Sequence, residues 1–205
     1  MRIVADGIWY ALGAAAGGAA AAWLTGIPFA AAPFFIFAAF SLWFFRDPDR
    51  QVPPGPVAVS PADGKVMAVK LEHGRTRISI FLNVFDVHVT RTPVAGRVTK
   101  VEYRPGRFLV ASKEAASEQN EQSIMTVRTE NGSEVVFKQI AGLIARRIIC
   151  RKQEGDTLQT GERIGLMKFG SRMDVLLGDE WKILVRPGQR VSAGTTIIAS
   201  LRRTG

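Results

Sequence analysis

The sequence predicts a mainly β fold, a pseudo-symmetric β-sandwich preceded by an N-terminal apolar α-helical hairpin. Three observations carry this reading. Residues 7–45 hold no charged side chain. From residue 58 onward, short β-branched or apolar runs alternate with Gly, Pro and Asn turn signals. Two short patterns also recur at a spacing of about one supersecondary unit.

The apolar stretch comes first. As one straight helix it would reach roughly 58 Å at 1.5 Å per residue, about twice a bilayer core. Thr25-Gly26-Ile27-Pro28 offers a break, leaving two pieces of about 17 residues, near the lower limit for spanning. The first piece, 8–24, is mostly Ala and Gly, and Gly13-Ala14-Ala15-Ala16-Gly17 admits a closely packed second helix. The second, 29–45, is rich in Phe and ends on Trp43 and Arg46, an aromatic and basic interface anchor. One Arg ahead of so long an apolar run argues against a secretory signal peptide. A spanning hairpin and two helices lying in the interface both fit. For a hairpin, Arg46 and Arg50 place both ends in the cytoplasm, on a cell membrane. The organisation expected is therefore 1–46 membrane-associated, 47–57 a Pro-rich linker and 58–205 a β-rich domain.

Strands are expected at 66–69, 77–82, 87–92, 98–103, 123–129, 134–140, 146–150 and 181–185. Asn131-Gly132 marks a hairpin, and 113–121 reads as a short helix or a loop. Pro61-Ala62-Asp63-Gly64-Lys65-Val66 returns as Pro93-Val94-Ala95-Gly96-Arg97-Val98. Gly155-Asp156-Thr157-Leu158-Gln159-Thr160-Gly161 returns as Gly188-Gln189-Arg190-Val191-Ser192-Ala193-Gly194. This second pattern is similar to the turn of biotinyl/lipoyl-type barrel-sandwich domains, so a barrel-sandwich-like unit is expected. In the first echo Asp63 stands opposite Ala95. The scaffold needs no carboxylate there, which points to a task for Asp63.

Charge narrows the partners. The net +9 falls on residues 46–205, because 1–45 carry only Arg2 and Asp6. Such a surface suits a polyanion, and the adjacent apolar segment favours anionic lipid over nucleic acid. Arg146-Arg147 with Arg151-Lys152 reads as a solvated face. The basic residues are not interleaved with aromatics as single-strand binding requires. Two histidines and one cysteine, far apart, give no metal pattern. Cys150, in an apolar run, reads as a small hydrophobe. His73, in Glu72-His73-Gly74-Arg75, reads as an exposed turn residue.

Four pieces then stand in order: Phe44-Phe45-Arg46-Asp47-Pro48; Pro61-Ala62-Asp63-Gly64-Lys65-Val66; Phe81-Leu82-Asn83-Val84-Phe85-Asp86-Val87-His88-Val89; and Gly170-Ser171 after Arg163-Ile164-Gly165. Together they resemble the phosphatidylserine decarboxylase proenzymes in their short bacterial and archaeal form, over residues 46–201. The resemblance implies a pyruvoyl cofactor derived from Ser171 and self-cleavage between Gly170 and Ser171. The products would be a β chain, 1–170, and an α chain, 171–205, held as a heterodimer, with higher oligomers left open. It implies a phospholipid membrane as partner and conversion of phosphatidylserine to phosphatidylethanolamine. No Gly-rich phosphate loop is present to hold pyridoxal phosphate instead.

On that resemblance the catalytic set is Ser171, His88 and Asp63. Ser171 Oγ would attack the Gly170 carbonyl, with His88 as base and Asp63 fixing the His88 tautomer. His88 would also return the proton after CO₂ leaves. Arg91 stands where many members of the family carry a second histidine, and Arg172 where many carry Thr. Arg91 is a candidate to hold the substrate's phosphate or carboxylate, or else a solvated strand residue. Two other readings fit parts of the chain: a membrane-anchored barrel-sandwich adaptor with no catalysis, and a decarboxylase of an ether-linked serine phospholipid.

Overall fold

The uncharged stretch folds as two helices, in a computed structural model that describes residues 1–143, 148–168 and 170–202. Arg146 and Arg147 of the sequence reading lie outside those residues. The chain divides into two units, Met1–Asp49 and Arg50–Gly205. In the first, β1 (Arg2–Ile3) pairs with β2 (Arg46–Asp47), so both ends of the helical pair meet. Between them run α1 (Ala5–Thr25), a short 3₁₀ turn (Pro28–Ala31) and α2 (Ala32–Phe44). Gly26 at φ 68° ends α1, a left-handed cap that L side chains resist. The close approach uses Gly17 and Gly18, which face Phe34, whereas Gly13 faces open space.

Trp9, Trp23, Phe29 and Ile36 are all more than two-thirds exposed, an apolar exterior unlike that of a water-facing helix pair. Ala5–Thr25 is long and apolar enough to cross a membrane, at about 31 Å of rise. α2 rises only about 20 Å, short of a core about 30 Å thick.

The second unit is built from β3 (Val57–Val59), β4 (Gly64–Glu72), β5 (Arg75–Leu82), β6 (Val89–Arg91), β7 (Gly96–Arg104), β8 (Gln122–Arg128), β9 (Glu134–Ile140), β10 (Ile148–Cys150), β11 (Thr157–Leu158), β12 (Arg163–Met167), β13 (Ser171–Leu177), β14 (Trp181–Ile183), β15 (Arg190–Val191) and β16 (Ile197–Leu201). One turn of helix, α3 (Ala116–Gln119), lies within the 113–121 stretch. The fold is mainly β, as the alternating patterns require.

The strand orders are β11-β7-β8-β9-β13-β5-β4-β15 in the large sheet, and β10-β12-β6 and β14-β16-β3 in two small ones. Exchanging β3 with β6, β4 with β7, β5 with β8, β13 with β9, β14 with β10, β15 with β11 and β16 with β12 reverses the first order and swaps the other two. The unit is therefore two interleaved copies about a pseudo-twofold between β9 and β13. Backbone bonds repeat accordingly. Val66 N–H reaches Gln189 C=O at 2.8 Å, and Val98 N–H reaches Asp156 C=O at 2.8 Å. Ser60 Oγ donates to Ala62 C=O at 2.6 Å, and Thr92 Oγ1 to Val94 C=O at 2.8 Å. Both long hairpins bulge at the same place, after Val66 and after Val98.

Ile78, Ile80, Phe137, Met173 and Val175, with others, form one buried core. Each such side chain contributes roughly 1.5–3 kcal/mol relative to exposure. β13 lies at the centre of the large sheet, paired with β5 on one side and β9 on the other. That strand begins at Ser171.

Candidate active site

Register fixes what surrounds Ser171. Its partner across the β13–β5 ladder is Leu82, the last residue of β5. The chain then turns through Asn83–Asp86, where Asn83 N–H donates to the Asp86 carboxylate at 2.9 Å, and arrives at His88. His88 C=O accepts from Met167 N–H at 3.1 Å, in the strand that leads towards Gly170. His88 and the Gly170–Ser171 peptide are thus delivered to one end of the sheet by two neighbouring ladders.

Ser171 is fully buried, and its Oγ has no hydrogen-bond partner among the described residues. An unpaired buried hydroxyl costs about 1–3 kcal/mol, and most buried polar atoms avoid that state. Gly170 ahead of it adopts φ 65°. A second glycine makes room for the peptide. A Cβ built on Gly142 would stand 1.9 Å from the Gly170 carbonyl oxygen, so no side chain fits at 142 while that carbonyl keeps its place. Asn120 braces this contact by donating from Nδ2 to Ala141 C=O at 2.8 Å.

His88 is buried, with Nδ1 2.9 Å from the Asp86 carbonyl oxygen. A carbonyl only accepts, so the bond requires the proton on Nδ1 and leaves Nε2 as the basic nitrogen. This corrects one expectation. Asp63 makes no hydrogen bond to His88. Its carboxylate takes Arg50 Nη2 at 2.7 and 2.9 Å and Ala193 N–H at 2.7 Å. A backbone carbonyl two residues away is nearer to the ring than a carboxylate on a different turn, and it sets the tautomer instead. Asp63 joins residues on either side of the Gly170–Ser171 bond.

Arg91 is buried rather than solvated, and its Nη1 donates to Gly161 C=O at 3.0 Å. Alternation along the chain sets it on the face opposite His88. It also lines an open pocket of about 350 Å³ with Gln159, Glu162 and Arg163. His73 is an exposed turn residue at φ 50°. Cys150 is half-buried against the core.

The pseudo-twofold supplies an internal comparison. The ladder partners equate Ser171 with Ser133 and Gly170 with Gly132, which forms the ordinary turn between β8 and β9. Met167 N–H on His88 C=O corresponds to Leu201 N–H on Pro56 C=O, so His88 answers to Pro56. Asp63 answers to Ala95. In the second copy Pro56, Ala95, Thr160 and Leu201 line one pocket of about 430 Å³. Their counterparts in the first copy are His88, Asp63, Ala193 and Met167. Two Gly-Ser pairs occupy equivalent places, and only one has a histidine and a carboxylate at the matching positions.

Asp86 and Gly142 were not legible from sequence as site residues. Asn83…Asp86 carries an Asx-turn signal, but nothing in it says that the Asp86 carbonyl will meet His88. Gly142, just past a strand, looks like any turn glycine. Among the described residues no cluster of metal-ligating side chains occurs.

The family model described as phosphatidylserine decarboxylase matches residues 37–199. The chain is 64% identical over 199 residues to a phosphatidylserine decarboxylase proenzyme of Solibacter usitatus, covering 97% of each chain. It is 50% identical over 163 residues to the proenzyme of that name from Syntrophus aciditrophicus, covering 76% of each. With that of Saccharopolyspora erythraea it shares 48% over 179 residues, 82% of this chain and 76% of the relative. With these matches extending over most of its length, the chain belongs to the phosphatidylserine decarboxylase family.

Proposed function

We propose that this protein decarboxylates phosphatidylserine to phosphatidylethanolamine after cutting itself between Gly170 and Ser171. The observation that carries the reading is the buried Ser171 Oγ without a partner among the described residues; the equivalent Ser133 also follows a left-handed glycine, yet it is half-buried and its Oγ accepts from Asn131 Nδ2. The relatives' names supply the substrate and, in the word proenzyme, the processing.

The residues present suit a pyruvoyl group made from Ser171. With its proton on Nδ1, His88 offers Nε2 to remove the Ser171 hydroxyl proton. Oγ then bonds to the Gly170 carbonyl carbon as the peptide C–N bond breaks, and the Ser171 nitrogen takes the proton from His88, giving an ester and a free amine. Loss of the Ser171 Cα proton and cleavage of the ester Cβ–O bond release Gly170 as a carboxylate and leave dehydroalanine at 171. Water replaces its nitrogen, and ammonia leaves. Gly142 supports this sequence by leaving the Gly170 carbonyl a fixed seat. The pyruvoyl carbonyl supplies an electron sink for the pair left behind when CO₂ departs. His88 returns the proton to the substrate Cα. We assign Asp63 to holding the Pro61–Gly64 turn onto Ala193, and Arg91 to the anionic part of the headgroup.

The apolar first unit gives the chain an affinity for lipid, where the acyl chains of the substrate remain. Arg46 and Arg50, following the second helix, favour the cytoplasmic side of a cell membrane. The two products stay together as a heterodimer because β13 is laddered to strands of the larger chain on both sides.

Ser171→Ala is expected to remain one chain on a denaturing gel and to form no phosphatidylethanolamine from phosphatidylserine in mixed micelles. Full activity in that variant sinks the proposal. Gly142→Ala should slow cleavage at least about tenfold, since displacing a reacting carbonyl by an ångström costs as much, while circular dichroism stays native. Arg91→Gln should cleave normally and raise KM for lipid about tenfold, the loss expected for one charge-assisted contact; an unchanged KM removes Arg91 from the substrate site.

A further inference from the structure

We propose that Arg172 is a positioning residue, whose buried guanidinium holds the first residue of the smaller chain in place once the Gly170–Ser171 bond is cut. The inference rests on the self-cleavage reading above and deepens it. Arg172 is 1% exposed and Asp174 fully buried, both on the face of β13 opposite Met173 and the core. Arg172 Nε donates to Asp174 Oδ1 at 2.6 Å, Nη2 to Ser79 Oγ at 2.8 Å and Nη1 to the Lys113 carbonyl at 3.3 Å. Asp174 also takes Ser117 Oγ at 2.5 Å and Arg77 Nη1 at 3.4 Å. Arg77, itself 1% exposed, continues the network to Glu72 at 2.6 Å and to Glu114.

Every partner of Arg172 and Asp174 outside β13 belongs to residues 1–170. The network therefore joins the two chains that cleavage would produce. Burial pushes the Asp174 carboxyl above the usual carboxylate range, with the bonds from Ser117 and Ser79 and the Arg77 charge acting against it. Burial opposes ionisation of Glu114, but Arg77 and Lys70 outweigh it and hold the carboxyl below the usual carboxylate range.

The pseudo-twofold shows that the scaffold does not require this network. The positions equivalent to Arg77, Ser79, Arg172 and Asp174 are Ile124, Thr126, Glu134 and Val136. The lid over the network is equally one-sided. Residues 105–121, which supply Lys113, Glu114 and Ser117, join β7 to β8, whereas a two-residue turn joins the equivalent β4 and β5. Buried ion networks stabilise little compared with apolar packing and are better suited to fixing one geometry. What they fix here is the strand start that carries Ser171. Before cleavage the peptide bond to Gly170 restrains residue 171. Afterwards Arg172 is the first side chain of a new terminus, and three bonds to a planar guanidinium set its position.

The test compares two rates in the full-length protein. Arg172→Met should still cut itself at a rate within about threefold of wild type. Its kcat on phosphatidylserine micelles should fall about tenfold or more with KM unchanged, since the reacting group is misplaced rather than the lipid unbound. Arg172→Lys should recover only part of the loss, because an ammonium lacks the fork. Ser79→Ala, a milder change, should show the same split at about twofold to fivefold and decides the matter if Arg172→Met does not fold. An unchanged kcat in these variants, or equal loss of cleavage and turnover, overturns the inference. A wild-type protein that turns over lipid without being cut overturns the reading beneath it instead.

Discussion

The structure depends on one constraint: β13 is hydrogen-bonded along its length to β5 and to β9 at the centre of an eight-stranded sheet. A strand in that position cannot leave without breaking two ladders and opening the core around Met173 and Val175. It follows that the backbone before it is dispensable for the fold, and a break at Gly170 leaves the strand seated. The proposed cleavage would use this freedom. Ser171 is the first rung of that strand, anchored on its C-terminal side, with Gly142 against the carbonyl that precedes it.

The pseudo-twofold separates what the scaffold needs from what the site needs. Features present in both copies, such as the bulges after Val66 and Val98 and the hydroxyl bonds of Ser60 and Thr92, belong to the fold. Features present once are the ones to which the proposed roles are assigned: His88 against Pro56, Asp63 against Ala95, and Arg172 with Asp174 against Glu134 and Val136. The second Gly-Ser pair, in its hairpin turn, shows that the dipeptide alone is a turn and nothing more. Environment makes Ser171 different.

Much of the fold was legible in the sequence, because period-two alternation and turn residues are local signals. The runs at 66–69, 77–82, 98–103, 123–129 and 134–140 fall within β4, β5, β7, β8 and β9 or overrun them by one residue. The Asp63/Ala95 asymmetry was legible too, as one odd residue in a repeat. The central strand was not. Ser-Arg-Met-Asp-Val alternates as a half-exposed strand would, yet its polar face is buried under residues 105–121, a long-range fact. The Asp63–His88 pairing failed for the same reason in reverse: the Asp86 carbonyl, close in sequence, reaches the ring first. Gly142 gave no signal, since its role is defined only by a carbonyl nearly thirty residues away.

The central claim is that the Gly170–Ser171 bond is opened by the protein itself and its serine converted to a carbonyl. The intact mass of the purified wild-type protein, measured under denaturing conditions, tests this most directly. The account predicts two species parted after Gly170, the smaller lighter by one ammonia than a chain beginning with serine. A single uncut chain that turns serine lipid into ethanolamine lipid would contradict it.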